Sequence, residues 1–490
     1  MSEASAVPFS ETKAPESPDR LRRGALSLID ISASTMANIG PAYSFYFGFG
    51  FLVFTAGVAA PLTIIVAGIA IALLGNTLSQ FSRAHPSTGG FISFVGKTFG
   101  GASGVTTAIL CGAGYIIAIS SVLAISGGFF ATTLQHYLKW NIPWIILSVI
   151  LTGGAVIMTV RGVAISTKLA GFFFGFEMLV LIVVSVAALI KHGGHLSLVP
   201  FEPSHITKGA QGLAAGFPLA VYLFIGWENS AALAEETGDP RRNVPRAVFL
   251  STALMVVSYV LFAYATVTGF GYNGTVLGNA TDIPFITVAQ GILASFAFFA
   301  YLAGLTSTLG VLISAINSQA RLIFNAGREG LLPSFIGKVN PRRQTPVNAL
   351  FTFTGVAGAI ILVWALLHLL GGHKNSGSMN PLTFFVESST MGTILVLVVY
   401  FLANLALPFY YRRYRPAEFN VIKHMVLPVL GMIAIGVPVY YLVKPGQLPP
   451  YDWFPYLALG IVVLAAIYGV ILNRRDPGLK DRVGSIIADE

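Results

Sequence analysis

An all-α protein threaded about twelve times through a membrane is what this sequence predicts, and three observations carry that expectation. Of 490 residues, 55% are hydrophobic and only 10% charged, where a soluble globular protein carries about 25% charged residues. Apolar stretches, each with roughly the twenty residues that a bilayer core requires, recur from Ala25 to Leu472 with no gap the size of a soluble domain. Finally, with the N-terminus inside, 24 of the 29 Lys and Arg fall on segments that alternating spans place on the cytoplasmic side. That asymmetry predicts both termini in the cytoplasm of a cell-membrane protein. The net charge of +9 thus orients the chain in a bilayer, and no nucleic-acid partner is needed to explain it. The single Cys111 lies in an apolar run, so no disulfide framework is expected.

Residues 1–23 are polar and rich in Pro and Ser, with no hydrophobic region of their own, and read as a disordered cytoplasmic tail, not a signal peptide. Residues 24–473 form one transmembrane domain, and 474–490 a second cytoplasmic tail. Spans are expected near 25–50, 55–79, 101–134, 142–160, 164–190, 209–235, 246–270, 285–322, 346–368, 382–410, 424–443 and 453–472. The five cations left outside are Lys139, Lys191, Lys208, Lys374 and Lys444.

Two spans are interrupted. In "LSLIDISASTMANIGPAYSFYFGFGF", Gly40-Pro41 falls at mid-membrane, and a proline removes a backbone donor and disfavours helix at the residue before it. Five spans later, Gly226 breaks the sixth span beside Trp227-Glu228-Asn229-Ser230. Glycine or proline interruptions at matching places in two halves point to the binding site of an inverted-repeat transporter. Freed backbone groups are tolerated at that depth only where they line a cavity. The N–H groups at a positive helix end can hold an anion such as a carboxylate.

Acidic residues fall within or beside spans at Asp30, Glu177, Glu228 and Glu387. Charge at the bilayer centre costs at least about 2.5 kcal/mol, so such groups face the bundle interior and are commonly functional. Glu177, halfway along the fifth span, is the deepest. It reads equally as a proton carrier or as a neutral acid bonded to a neighbouring helix. Glu228 sits beside the break, where it either serves transport or pins freed N–H groups. Asp30 and Glu387 lie nearer span ends and read as interfacial or packing carboxylates.

The loops need only local explanations. In "EETGDPRRNVPRAV", Asp239-Pro240 starts a turn and Pro245 opens the next helix. "QFSRAHPSTGGFISFVGKTFG" re-enters from the cytoplasm, and its glycines are not spaced as a phosphate-binding loop. No cofactor, metal site or ATP use is expected.

Three stretches carry a family resemblance: "HPSTGGFISFVGKTFG", "FIGWENSAALAEETGDPRRNVPRAV" and "SQARLIFNAGREGLLPSFIGKVNPRRQTPVNAL". The sequence resembles the amino acid-polyamine-organocation superfamily of secondary transporters from about Leu26 to Leu472. The resemblance implies the leucine-transporter-type arrangement: a 5+5 inverted repeat, about 24–190 and 209–410, with two peripheral helices at about 424–472. It implies a site between the two broken spans. Ile39, Gly40, Pro41 and Ala42 match the turn in the first; Phe224, Ile225, Gly226, Trp227 and Glu228 match the break in the sixth. Ser307 and Thr308 match the position where sodium-coupled relatives bind an ion. Glu177 matches a place where some members carry a lysine in lieu of that sodium. Two departures stand out: Pro41 removes one N–H from the carboxylate-binding turn, and an acid replaces the lysine.

The expectation is therefore a permease for an amino acid or related amine, working by alternating access. Gly40 and Ala42 N–H groups would meet a carboxylate, and Trp227, Phe224 and Tyr115 would close over the solute. Protons, carried by Glu177 or Glu228, are the expected coupling ion. Rivals are a polyamine or amine importer, an exchanger without net proton movement, and a non-transporting membrane sensor. An enzyme would need a nucleophile–base pair or metal ligands within the spans, and the sequence offers neither.

Overall fold

The computed structural model describes residues 21–207, 209–370 and 379–488, with side chains left undescribed at 368–370. Lys208, Lys374 and residues 1–20 of the expected tail lie outside the described residues. Among those described, nine apolar segments are long enough to cross a membrane, the first running Leu28–Ala84. The figure of about twelve spans therefore stays with the sequence.

Gly40 adopts a left-handed φ of 63° and ends α1 (Leu28–Ile39), its N–H donating to the Met36 carbonyl. Pro41 then opens α2 (Pro41–Ala56) at the first helical position, where a missing N–H costs nothing. After α3 (Ala60–Ala84) and the short α4 (Phe91–Phe99) comes the longest helix, α5 (Gly101–Leu138). Helices α6 (Trp144–Val160) and α7 (Val163–Lys191) complete the first half. The second half begins with another broken helix: α8 (Gly209–Tyr222) stops, turns carry the chain past Gly226 at φ 104°, and α9 (Asn229–Ala232) follows. Next come α10 (Pro240–Gly269), short α11 (Gly274–Gly278) and α12 (Pro284–Ile292), then α13 (Ala294–Arg328), α14 (Val347–Leu370) and α15 (Pro381–Tyr414). Helices α16 (Leu427–Val443) and α17 (Phe454–Arg475) are largely exposed, as lipid-facing helices at the periphery would be.

Two boundaries differ from expectation. Helix α10 starts at Pro240, with Asp239 at its N-terminal boundary, so Pro245 lies inside the helix, in its second turn. The eighth span is interrupted at Leu293, whose φ of −157° separates α12 from α13. Pro at the first turn is compatible with either start of α10, and the Leu293 interruption lies in apolar sequence that composition alone does not reveal.

Helices α1, α7 and α13 pack together, and α5 runs along both α13 and α15. This surrounds the two breaks with protein. Asp30 is structural: its carboxylate accepts from the Ser27 N–H and hydroxyl in a reciprocal helix cap. Glu387 accepts from the Trp364 indole at 3.2 Å.

Candidate functional site

The breaks face one another, and the Asn38 side chain ties one to the other. Asn38, in the last turn of α1, donates from Nδ2 to the Gly226 carbonyl at 3.3 Å. A Cβ on Gly226 would fall 2.8 Å from that Nδ2 and 3.1 Å from the Asn38 carbonyl carbon, so glycine is needed for both space and backbone angle. Beside this contact lies a cavity of about 50 Å³, room for roughly four water-sized groups. Of the residues named from the two breaks, Ile39, Ile225 and Gly226 line it and Gly40, Pro41 and Ala42 do not; Asn38, Tyr43, Ser44, Tyr222 and Gln319 join the lining.

The freed N–H groups are not available to a solute in this structure. Gly40 donates to Met36 at 3.0 Å, and Ala42 donates to Glu177 Oε2, also at 3.0 Å. The next amide, Tyr43, donates to the Ser307 hydroxyl at 2.9 Å, and that hydroxyl lies against the Glu177 carboxyl. Glu177 is fully buried, and its second oxygen, Oε1, has no hydrogen bond. Thus Glu177, Ala42 and Ser307 form one cluster behind the first break, on the side of α7 and α13. Thr308 is turned elsewhere, its hydroxyl donating to the Leu305 carbonyl within α13.

The expected aromatic lid also differs. Tyr115, Phe224 and Trp227 are buried but none lines the central cavity. Phe224 packs edge-on to Tyr259, and Trp227 packs against Phe91 and Tyr400. The Tyr115 hydroxyl donates to Glu228 Oε1 at 2.6 Å. Rings from other positions cover the cavity. Tyr43 and Tyr222, hydroxyls 3.3 Å apart, form its wall. Phe385 packs on both, with centroids at 5.8 and 6.0 Å, and on Phe47 at 5.8 Å. Phe47 in turn lines a vestibule of about 570 Å³ walled by Phe51, Phe54, Phe129, Tyr301 and Asp282. One layer of rings separates cavity from vestibule.

Closure is thicker toward the face that carries the described ends of the chain. Arg321, wholly buried in α13, grips Glu236 with two hydrogen bonds, Nε to Oε2 at 2.5 Å and Nη2 to Oε1 at 3.1 Å. It also donates to Asn317. Two turns on, Arg328 pairs with both oxygens of Glu235 at 2.6 and 3.2 Å. The segment before α1 crosses these pairs: Leu21 N–H donates to Glu235 Oε1, and Leu26 bonds the backbone at Glu236 and Gly238. From sequence alone this arginine segment continues a helix and the acids belong to a turn. An Arg in a run of apolar α13 residues and an acidic pair just past the sixth span were the available signals.

The C-terminal segment closes the same face. Val483 is buried against Gly96 and Gly104, Gly484 N–H donates to Glu329 Oε2 at 3.0 Å, and Ala488 N–H donates to the Pro86 carbonyl at 2.9 Å. Burial pushes the Glu329 carboxyl up to about 7, against hydrogen bonds from Gly484 and Asn325. The buried ring of His85, beside Gly484, is pushed down to about 4 by burial and by Lys97.

Known proteins agree with this architecture. The family described as amino acid permease matches residues 24–467. The Asc-type amino acid transporter 1 of Mus musculus is 28% identical over 325 residues, 64% of this chain and 60% of its own length. This chain thus spans about three-fifths of that relative. The branched-chain amino acid permease BcaP of Lactococcus lactis subsp. cremoris is 25% identical over 446 residues, 86% of this chain and 88% of that protein. The methylthioribose transporter of Bacillus subtilis is 22% identical, covering 92% and 95%. Among solved structures, a mutant form of the manganese transporter from Eremococcus coleocola superposes with a TM-score of 0.56 at 11% identity, covering 91% of this chain and 95% of that one. That likeness speaks to the fold, which is all-helical and of the leucine-transporter type. With the match running from the segment before α1 into α17, and with the two broken helices meeting at a central cavity, the chain belongs to the amino acid permease family, within the amino acid-polyamine-organocation superfamily.

Proposed function

We propose that this multi-pass membrane protein is a secondary transporter that moves an amino acid or related amine by alternating access, with Glu177 carrying a coupled proton. The observation that carries this reading is the pair of unequal barriers around one cavity. A single ring layer parts the cavity from the vestibule, while two arginine–carboxylate pairs and two chain ends cover the opposite path. Such an arrangement suits a protein that opens to one side at a time. In this reading the termini lie in the cytoplasm, because positive charge concentrates on their side.

Proton coupling draws its support from the Glu177 cluster. Its carboxylate holds the Ala42 N–H, the group that would otherwise receive a solute carboxylate. Protonating Glu177 weakens that bond and frees the amide, so proton and carboxylate binding would favour each other. The same contact favours a second reading, in which the solute is an amine without a carboxylate and needs no free N–H.

Uptake into proteoliposomes, across a panel of amino acids and amines with and without a pH gradient, tests both. Gradient-driven uptake that Glu177→Gln abolishes is the expected result. Full, gradient-dependent uptake by that variant would remove Glu177 as the carrier. No uptake of any solute would overturn the transport reading.

A further inference from the structure

Beyond the central cavity, toward the face bearing the chain ends, lies a second cavity of about 10 Å³, enough for one water-sized group. Asn38 and Gln319 line both cavities, so the two adjoin across these side chains. Three buried acceptor oxygens on its lining residues lack a well-formed hydrogen bond: Glu228 Oε2, Asn229 Oδ1 and Gln319 Oε1. Their residues are 7%, 2% and 9% exposed, so bulk water does not satisfy them. The opposite atoms of the first two are engaged: Tyr115 donates to Glu228 Oε1 at 2.6 Å, and Asn229 Nδ2 donates to the Ser34 hydroxyl at 3.2 Å. The Tyr400 hydroxyl and the amides of Gly226 and Glu228 also surround the carboxylate. Phe91 and Tyr115 supply aromatic walls.

We propose that this small cavity is a subsite for a primary ammonium group at the far end of the transported solute. The chemistry matches in number, charge and size. An ammonium carries three N–H donors, and three unpartnered acceptors, one of them a carboxylate oxygen, belong to residues that line a space for one group of that size. Aromatic faces favour a desolvated cation. A bare divalent ion is the poorer fit, because it seeks about six oxygens at close range, whereas beyond these acceptors the lining adds Asn38, Gly90 and Ser318, whose hydroxyl donates within α13, and is otherwise Leu78, Leu322, Ala231 and Ala232 with the aromatic rings. The solute class that follows is one whose head occupies the central cavity and whose amine reaches past Asn38 and Gln319: a diamine, or an amino acid with an aminoalkyl side chain.

This inference rests on the transport reading, and its test separates the two. Uptake by the full-length protein in proteoliposomes would be measured for pairs of solutes differing only in a terminal ammonium or methyl group: lysine against norleucine, and cadaverine against pentylamine. Each hydrogen bond between an ammonium and a buried acceptor is worth about tenfold or more in affinity, so the ammonium-ended member should be preferred by at least about tenfold in kcat/KM. Gln319→Met should bring that preference below about threefold, and Glu228→Gln should do the same. Comparable uptake of both members of each pair, or a preference that both variants keep, would overturn the subsite while leaving the transport reading intact. A sodium requirement for methyl-ended solutes without preference for the ammonium would overturn it in favour of a metal ion. If no solute moves, both readings fail together. The paired comparison in the unmodified protein stands even where a variant does not fold.

Discussion

At the scale of single residues, Gly226 and Arg321 have little room to change. An alanine at 226 would have to hold φ at 104° and bring its Cβ within 2.8 Å of Asn38 Nδ2. Gly226→Ala is expected to cost about 1–3 kcal/mol, read as a lower melting temperature in detergent, with uptake lost in whatever protein survives. Retained stability and retained uptake together would mean that the break tolerates another geometry. Arg321 is wholly buried against an almost wholly buried Glu236. Removing one partner strands a buried charge, at about 3–5 kcal/mol. Arg321→Met should therefore destabilise strongly, and adding Glu236→Leu should recover much of the loss. A double variant no better than the single one would show that the pair contributes little beyond its separate members.

At the scale of elements, the C-terminal segment around α18 (Leu479–Arg482) covers a buried acid, and its docking should depend on pH. Burial raises the Glu329 carboxyl from 4.5 to about 7, outweighing the Gly484 N–H that lowers it; if opening the segment returns the acid to water, it binds its proton more tightly docked than free. Docking is thus fully favoured below about 4.5 and is lost as pH rises through about 7. Between pH 6 and 8, opening of the segment in wild-type protein should increase about tenfold relative to Glu329→Gln. Hydrogen exchange of Leu479–Ala488, corrected for intrinsic rates, measures this ratio, in which the opposing titration of His85 cancels. A ratio that does not change with pH would mean that docking leaves the acid in water.

The sequence also shows what elements reveal and conceal. Both breaks were legible, because Gly40-Pro41 and Gly226 disrupt an apolar helix in any environment. Glu177 and Glu228 were legible because a carboxyl at that depth has few alternatives to facing the interior. The covering rings were not. Tyr43, Phe47, Tyr222 and Phe385 sit among 36 Phe and 18 Tyr, and an aromatic facing lipid looks the same in sequence as one facing a cavity. Gln319 and Arg321 escaped for a related reason. Expected at a membrane boundary, they are buried because α13 continues to Arg328 and other helices pack around it. That depth is set by tertiary contacts, not by the helix's own residues.

At the scale of the whole molecule, the two barriers predict accessibility. With Cys111 replaced by serine, Phe51→Cys in the vestibule should react with a membrane-impermeant thiol reagent applied from the side away from the termini. Leu322→Cys, lining the small cavity, should resist the reagent from either side, and become reactive from the termini side during turnover. Equal labelling of both positions from one side would mean a continuous channel, not an alternating path.

The bond from Asn38 to Gly226 has a mechanical meaning. In the proposed alternating-access reading it would yoke the two breaks, so that a tilt of one fractured rod is passed to the other. In that reading, cutting the yoke with Asn38→Ala should let the two swing out of step, seen as efflux from solute-loaded proteoliposomes that no longer follows the pH gradient; efflux that still follows it would mean the two breaks move together without this bond.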